Sequence, residues 1–309
     1  MKKNVIVCGA CAMVLASSAF AGGRYWNVDG TTTMNYLSMK VSPRSASMSG
    51  AGVADASRVS EVSRNPLAMS AVQTAEFGFN QVVFDDASGA DFVSAYFGLP
   101  VLDKLTFSAT VDYLGYDDLE GRDENGLQNG EFGAYSWGLQ LGLGSHQKVF
   151  NWAVSFRFAT QTIDDESNYG FLGDLGASYN LGRYFSFATT LTNAGYITNS
   201  EYDDAEESAP MALQAGITGK IPFASRWNLH LSADTYRRAD TDVQWLFGGE
   251  IIYAEILMLR AGYALRPSTE DGLSAGLGVS FGSIVFDYGY SPRPAFEGGN
   301  HYLSLGLKF

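Results

Sequence analysis

The sequence predicts an all-β fold: a transmembrane antiparallel β-barrel of 14 strands with an N-terminal segment in its lumen. Segments of about ten residues with period-two alternation follow one another from residue 74 to the end. Short and long connections alternate between these segments. One face of each segment is large and apolar, and the other is small and polar. Since a lipid-embedded sheet cannot leave an edge unpaired, this pattern favours a closed barrel.

Residues 1–21 have the features of a secretory signal peptide. Residues 1–3 are basic at two positions, residues 5–16 form a short apolar stretch, and residues 19–21 fit the small-x-small cleavage rule. The two cysteines of the chain, Cys8 and Cys11, lie within this peptide. We therefore expect an exported protein of the cell outer membrane whose mature chain has no disulfide and no thiolate metal site.

Fourteen alternating segments make up the predicted barrel domain, residues 74–309. In one of them Trp152, Val154 and Phe156 share a face, whereas Asn151 and Ser155 lie on the other. The predicted strands are 74–84, 91–99, 104–114, 132–143, 148–160, 171–180, 184–193, 209–219, 226–236, 243–253, 256–264, 272–281, 284–290 and 300–309.

The connections predict which end of the barrel faces the cell surface. Six are tight, at 100–103, 144–147, 181–183, 220–225, 254–255 and 282–283; seven are longer, at 85–90, 115–131, 161–170, 194–208, 237–242, 265–271 and 291–299. Outer-membrane barrels place short turns in the periplasm and long loops outside. An even strand number then puts both ends of the barrel domain at the periplasmic side.

Composition excludes several other classes of protein. A soluble β-sandwich also alternates, but its outer face carries many Lys, Glu and Arg residues, and here only 17% of residues are charged, against about 25% in ordinary domains. No apolar stretch after the N-terminus reaches the ~20 residues of a spanning helix. The net charge of −13 argues against a nucleic-acid partner.

The longer connections are strongly acidic, with 21 acidic residues against five arginines. One interpretation is that these loops are solvated at the cell surface. Another is that divalent cations bridge them to lipopolysaccharide, or that residues 123–126 form a Ca²⁺ loop. That stretch lacks the alternating ligands and the closing Glu of an EF-hand, so we predict no specific metal site.

Residues 22–73 do not alternate and form a separate N-terminal segment. They are rich in small residues, which suits close packing inside a barrel, and a short helix is expected near residues 54–64. The alternative is a flexible periplasmic tail. The prediction of a lumenal plug rests on apolar residues that need burial: Leu37, Met39, Val53, Val59, Val62 and Leu67.

Charged residues on the small-residue face would lie inside the barrel. A charge in a confined interior is costly unless it is paired, so we expect them to pair across the lumen or with the plug. Arg44 in the plug is a candidate partner for one of the acids. The candidate lumen charges are Asp112, Arg157, Asp174, His230, Asp234, Glu250, Arg260, Asp287 and Lys308.

The sequence contains no convincing catalytic motif. Residues 272–276 match the G-x-S-x-G pattern of hydrolases, but that motif needs a strand-to-helix elbow, and Ser274 lies in a predicted strand. His230 and Asp234 could face each other in the lumen, yet no nucleophile is placed beside them. Three isolated histidines make a transition-metal centre improbable on spacing alone. We predict neither enzyme activity nor a cofactor.

Several short motifs resemble a known family. The stretches 42–50 (SPRSASMSG) and 65–68 (NPLA) resemble the N-terminal signature of the PorV/PorQ proteins, which belong to the wider FadL-type outer-membrane barrels. Residues 116–134 and 276–304 resemble the PorQ branch. The motif residues in the plug are Arg44, Gly50, Asn65, Pro66 and Ala68.

The resemblance implies a barrel that works with the type IX secretion system through protein partners at the cell surface. The longest loops, 115–131 and 194–208, are then the candidate contact regions, alongside outer-membrane lipid and lipopolysaccharide. The alternative is a FadL-type channel for uptake of hydrophobic compounds, and a third reading is a purely structural barrel. Composition and period predict the barrel without deciding among these roles.

Overall fold

The computed structural model describes residues 32–85, 89–117, 119–122, 125–198, 208–266, 272–293 and 298–309. The predicted signal peptide lies outside these residues, as do parts of the acidic loops, including Asp123 and Glu124. No helix among the described residues is long and apolar enough to cross a membrane.

Fourteen antiparallel strands close into one barrel, in which the first strand pairs with the last, as predicted. The strands are β1 (Glu76–Phe84), β2 (Ala90–Leu102), β3 (Leu105–Tyr116), β4 (Leu119–Arg122), β5 (Gln128–Phe132), β6 (Ala134–Ser145), β7 (Phe150–Ile163), β8 (Glu166–Leu181), β9 (Phe185–Thr198), β10 (Ala212–Ala224), β11 (Trp227–Arg238), β12 (Gln244–Tyr253), β13 (Leu257–Leu265), β14 (Gly272–Phe281), β15 (Ile284–Pro292) and β16 (Gly299–Lys308). Strands β4 and β5 form a separate hairpin within the loop predicted at 115–131.

The barrel wall follows the two-residue period of the sequence. In β6, Trp137, Leu139 and Leu141 point outward and are 37–45% exposed, whereas Ser136 and Gln140 point inward and are buried. An apolar exterior and a small polar interior result, the arrangement expected of a sheet between lipid and an enclosed lumen.

The two ends of the barrel differ in the length of their connections, mostly as predicted. One end, here called the turn end, carries tight turns such as 103–104, 146–149 and 225–226; the opposite end is called the loop end. The loop predicted at 161–170 is wrong. Strands β7 and β8 continue to a two-residue turn, Asp164–Asp165, in which Asp164 has φ 56°. Aspartate tolerates this left-handed conformation, and the acidic run there therefore forms a hairpin turn.

The N-terminal segment lies inside the barrel and runs from the loop end to the turn end. Thr32 forms a bridge with Ser208 near the loop end, and the carbonyl of Ser70 contacts the ring of His146 in a turn at the other end. Its regular elements are short: α1 (Pro43–Ser47) and 3₁₀ helices at Asn35–Ser38, Val59–Glu61 and Pro66–Ala71. The helix expected near residues 54–64 is thus reduced to a single 3₁₀ turn.

Inward-facing glycines allow the segment to approach the wall closely. A Cβ on Gly262 of β13 would lie 2.2 Å from the backbone carbon of Met48. A Cβ on Gly289 of β15 would lie 2.6 Å from the carbonyl oxygen of Pro43. Because both neighbours are backbone atoms, they cannot move aside as a side chain would, so the wall and the segment fit only while these positions lack a side chain.

Apolar side chains of the segment form two clusters with inward residues of the wall. Near the loop end, Met34 and Leu37 join a cluster that includes Phe92 of β2. Towards the turn end, Leu67 and Met69 belong to a second cluster. Of the apolar residues on which the plug prediction rests, all are buried except Met39, which is partly buried; the role of the segment as a plug stays a prediction.

Candidate functional site

Arg44 is fully buried in the lumen and pairs with three carboxylates. Its guanidinium donates to Asp55 at 2.7 Å, to Glu61 at 3.2 Å and to Glu250 at 3.0 Å. Asp55 and Glu61 belong to the N-terminal segment itself, whereas Glu250 belongs to β12. Arg44 therefore links separate parts of the segment to each other and also links the segment to the barrel wall.

The pairing continues along the wall into what we call the Arg44 network. Arg260 donates to Glu250 at 2.6 Å and to Asp287 at 2.5 Å. The acidic members of the Arg44 network are Asp55, Glu61, Glu250 and Asp287. The basic members are Arg44, Arg58, Lys220 and Arg260, and His230 lies beside Asp55. Four carboxyl groups face four basic side chains, so acidic and basic groups are equal in number before His230 is counted. Balance of this kind is what makes the burial of so many ionised groups tolerable.

Asp55, His230 and Glu250 each place a ligand atom within 4.8 Å of the others, close enough to share a metal ion. Both carboxylates are already engaged, because the Arg44 guanidinium binds each of them and Lys220 lies 2.8 Å from Asp55. A metal ion would have to displace these cations. We therefore assign the cluster to ion pairing.

Burial and pairing shift the pKa values of the groups on the N-terminal segment in different directions. Burial by itself would lower the pKa of Arg44, but Glu250, Glu61 and Asp55 together raise it well above its ordinary value. Burial would raise the pKa of Asp55, but Arg44, His230 and Lys220 hold it well below the usual range. Burial raises the pKa of Glu61 to about 7, an effect that Arg44 only partly offsets.

A second set of charges, here called the Asp112 network, lies near mid-height. Asp112 of β3 accepts from Arg64 and from Ser63 of the segment, each at 2.7 Å, and Arg157 of β7 lies 3.5 Å away. Arg157 also lies 4.0 Å from Asp174, which binds Gln140 and Ser155 at 2.6 and 2.7 Å. The segment is thus bound to the wall on a second side.

Asp234 of β11 binds the backbone of the segment and not a charged side chain. Its carboxylate accepts the backbone N–H groups of Gly52 and Val53 at 2.8 and 2.9 Å. His230, which the sequence could have paired with Asp234, instead contacts Asp55 at 2.7 Å. The structure therefore places all eight candidate lumen charges of β3 to β15 on the inner face, most of them in contact with the segment.

The motif residues of the segment have structural places of their own. Gly50 has φ +94°, and a Cβ there would lie 3.1 Å from Cε of Lys40 and 3.3 Å from Leu246. Asn65 caps the last 3₁₀ helix by accepting from the N–H of Leu67 at 3.1 Å, and Pro66 occupies its first position. Ala68, also in this helix, is fully buried. What these residues do in function stays a prediction.

Ser274, the residue of the hydrolase-like pattern, lies in β14 and faces the segment. Its hydroxyl is 2.7 Å from that of Ser49 and donates to the carbonyl of Ser47 at 2.9 Å. Ser274 therefore forms another hydrogen-bonded contact between the barrel wall and the segment.

Sequence reasoning missed the segment's own acids, Asp55 and Glu61, and the partner Lys220. A signal was present, because charged residues are few in a segment otherwise rich in small and apolar residues. Their alternation in sign with Arg58 and Arg64 could have suggested internal pairing.

A cavity of about 460 Å³ lies in the loop-end half of the lumen, above the two networks. The N-terminal segment forms one side of it through Leu37, Met39 and Lys40. Strands β9 to β12 form the opposite side, with residues such as Thr192 and Gln214. The lining combines apolar, neutral polar and cationic side chains.

Within the described residues, the pairing between β9 and β10 is interrupted beside this cavity. Strands β9 and β10 pair from Gly219↔Phe185 up to Ala212↔Thr192, after which β9 continues to Thr198 without a described partner on that side. Next to this point β8 and β9 shift register between Gly173 and Leu175, and Asn193 has φ 56°. Thr192 and Asn193 line the cavity, so the interruption lies at its edge.

The comparisons with known proteins concern the fold. No protein-family model matches the chain, and no curated protein matches it. Among solved structures, the Pseudomonas putida toluene transporter TodX aligns with 87% of this chain and 98% of its own, at 12% identity and a TM-score of 0.56. The monoaromatic hydrocarbon channel CymD aligns over 87% and 97% at 13% identity and a TM-score of 0.60. A Pseudomonas aeruginosa FadL homologue aligns over 87% and 98% at 11% identity and a TM-score of 0.52.

These likenesses confirm the predicted FadL-like barrel fold. The PorV/PorQ assignment stays a prediction.

Proposed function

We propose that the protein is a FadL-type channel of the cell outer membrane that admits small organic molecules of at least partly hydrophobic character. The observation that carries this proposal is the cavity of about 460 Å³ that lies beside the interruption between β9 and β10. A cavity of this size holds a small organic ligand. The likeness to hydrocarbon channels supports the same class of passenger.

The route follows from where the lumen is filled. Towards the turn end, the Arg44 network and the packed side chains of Leu67 and Met69 occupy the interior. A passenger that enters at the loop end therefore meets a filled lumen below the cavity. The interruption at Thr192 offers a way sideways into the membrane, and residues 22–73 act as the plug that directs the passenger there.

A substitution at the edge of the cavity tests the channel. In bacterial cells that carry the protein in the outer membrane, uptake of toluene should exceed that of cells without it. Thr192→Trp places a large ring at the interruption and should return uptake to the background level. The control is Thr189→Trp, three residues away on the outward face of β9, which should leave uptake unchanged. Equal uptake by cells with and without the protein, both of toluene and of a small aromatic acid, would overturn the proposal.

A second candidate function, a component of type IX secretion acting through surface partners, is favoured by one feature. The hairpin of β4 and β5 extends beyond the barrel, where Leu127 is 67% exposed among acidic residues. Deletion of residues 117–133 should leave a folded barrel that migrates anomalously on unheated gels. If surface proteins co-purify with the intact chain and are lost with the deletion, this second function gains support; unchanged recovery would reject it.

A further inference from the structure

The cavity near the loop end is lined by cations. Five basic side chains face it, those of Lys40, Arg64, Arg238, Arg266 and Arg293, and no carboxylate is among the described residues that form its lining. The loops around the loop end are acidic overall, so this concentration of positive charge inside differs from its surroundings.

One of these cations, Lys40, has no ion-pair partner among the described residues. Arg64 pairs with Asp112, and Arg238 pairs with Asp240 beside the cavity. Lys40 is half-buried, and its side chain has no hydrogen bond or ion pair within the part of the chain that the structure describes. Burial, together with the nearby Arg266, lowers the pKa of Lys40 to about 7. A shielded ammonium without a counter-charge is unfavourable by itself, and an anion placed next to it would relieve that cost.

The other residues that line the cavity indicate which chemical groups the rest of such an anion should carry. Hydroxyl and amide side chains, among them Thr192, Gln244 and Ser291, outnumber the apolar ones, of which Leu37 and Leu246 are examples. Hydrogen-bonding groups and short apolar patches suit a compact, hydroxylated molecule better than a pure hydrocarbon.

We propose that this cavity binds a compact organic anion that carries hydroxyl groups, and that the Lys40 ammonium binds its anionic group. The proposal rests on the proposed channel function and names the class of passenger. Gly50 allows this arrangement, because a side chain at that position would crowd the Lys40 stem at 3.1 Å.

Binding at Lys40 should depend on pH. Other charged or titratable groups around the cavity are Arg64, Arg238, Arg266, Arg293, Tyr236 and Tyr302. Among these groups, Lys40 is the one whose charge we expect to change near pH 7, because its pKa is lowered to about 7. Because the bound anion favours the protonated amine, binding takes up a proton and tightens as pH falls through 7.

Two probes with one skeleton test the proposal. Binding of 4-hydroxybenzoate and of neutral 4-hydroxybenzyl alcohol to the detergent-solubilised protein is measured by calorimetry at pH 6 and pH 8.5. We expect the acid to bind and the alcohol to bind at least about tenfold more weakly, with the acid binding more tightly at pH 6. Phenyl phosphate, as a third probe, distinguishes phosphate from carboxylate as the preferred anion.

Substitutions assign the effect to Lys40. Lys40→Met should weaken binding of the acid about tenfold or more and abolish its pH dependence, whereas Lys40→Arg should keep the binding and lose the pH dependence. Lys104→Met, in an exposed turn at the other end of the barrel, is the matched control and should change nothing. Equal affinity for acid and alcohol, or full binding by Lys40→Met, would overturn the proposal.

Transport data separate this proposal from the channel function on which it rests. If toluene uptake depends on the protein but the acid does not bind, the anion proposal alone fails. If the acid binds through Lys40 but neither the acid nor toluene crosses the membrane, the channel function fails and the binding site stands.

Discussion

The two halves of the lumen contain buried positive charge under opposite conditions. In the turn-end half, Arg44 contacts three carboxylates and the surrounding charges balance. In the loop-end half, Lys40 has no such partner among the described residues, although it lies only four residues before Arg44 in the chain. A cation that forms ion pairs within the protein stabilises the structure. A cation without an ion-pair partner beside a cavity can instead bind a ligand.

The same comparison applies to shape. In the turn-end half, side chains of the segment reach the inner wall and fill the space between them, as Met69 does at Gly142 and Gly144. In the loop-end half, the segment lines only one side of a cavity. The filled half is therefore the part whose disruption should cost stability, and the open half is the part whose alteration should change binding.

The largest effect on this comparison should come from Arg44→Met. The substitution leaves Asp55, Glu61 and Glu250 in a buried site without their shared cation, and breaking a buried ion pair in this way costs about 3–5 kcal/mol. Unfolding by guanidinium in detergent, followed by tryptophan fluorescence, measures the loss.

The matched control is Arg122→Met in the exposed hairpin. Arg122 pairs with Glu120 at 3.0 Å, but both side chains are about 60% exposed, so we expect a loss of less than about 1 kcal/mol. Equal losses for Arg44→Met and Arg122→Met would show that the Arg44 network does not stabilise the protein, and the contrast between the two halves would fail.

A smaller effect is expected from Gly262→Ala, which tests the filled half through shape alone. The new methyl group would lie 2.2 Å from the backbone of Met48, and overpacking of this kind costs about 1–3 kcal/mol. The segment should then leave its place more often, which exposes Arg58 and Arg64 to trypsin. The rate of tryptic cleavage in intact vesicles is the measurement.

Gly272→Ala is the control for this substitution, because a Cβ at Gly272 of β14 meets no atom within 4 Å. Its cleavage rate should match that of the unchanged protein. If Gly262→Ala were cleaved no faster, close approach between wall and segment could not be what holds the segment in place.

These features differ in how far the sequence predicts them. Alternation in stretches such as β6 is a local property, so the barrel, its inward faces and the inward position of Asp112 or Glu250 follow from it. Which carboxylate meets which guanidinium depends on how a non-repetitive segment folds within the lumen, and no local pattern carries that information. His230 is an example: its sequence neighbour Asp234 binds backbone N–H groups, while His230 itself meets Asp55, which is 175 residues away.

The wrongly predicted loop between β7 and β8 has a related cause. Three consecutive acidic residues suggested a solvated loop, but only two of them form the turn, and Glu166 already pairs in β8 opposite Ile163. The missed role of Lys40 is similar, because a lysine in a small-residue segment carries no sign of the charges that will surround it.

The last prediction concerns the pH response of the filled half. Burial raises the pKa of Glu61 to about 7, above the ordinary value of 4.5. The folded protein therefore binds a proton there more tightly than the unfolded chain does, and this contribution to stability is complete below pH 4.5 and is lost as pH rises through 7. Between pH 5 and 7.5 the free energy of unfolding should fall by about 2 kcal/mol. Glu61→Gln, which stays neutral at every pH, should flatten that decline. Guanidinium titrations of both proteins across this range measure the difference, and parallel declines would mean that Glu61 is ionised throughout and that Arg44 compensates it fully.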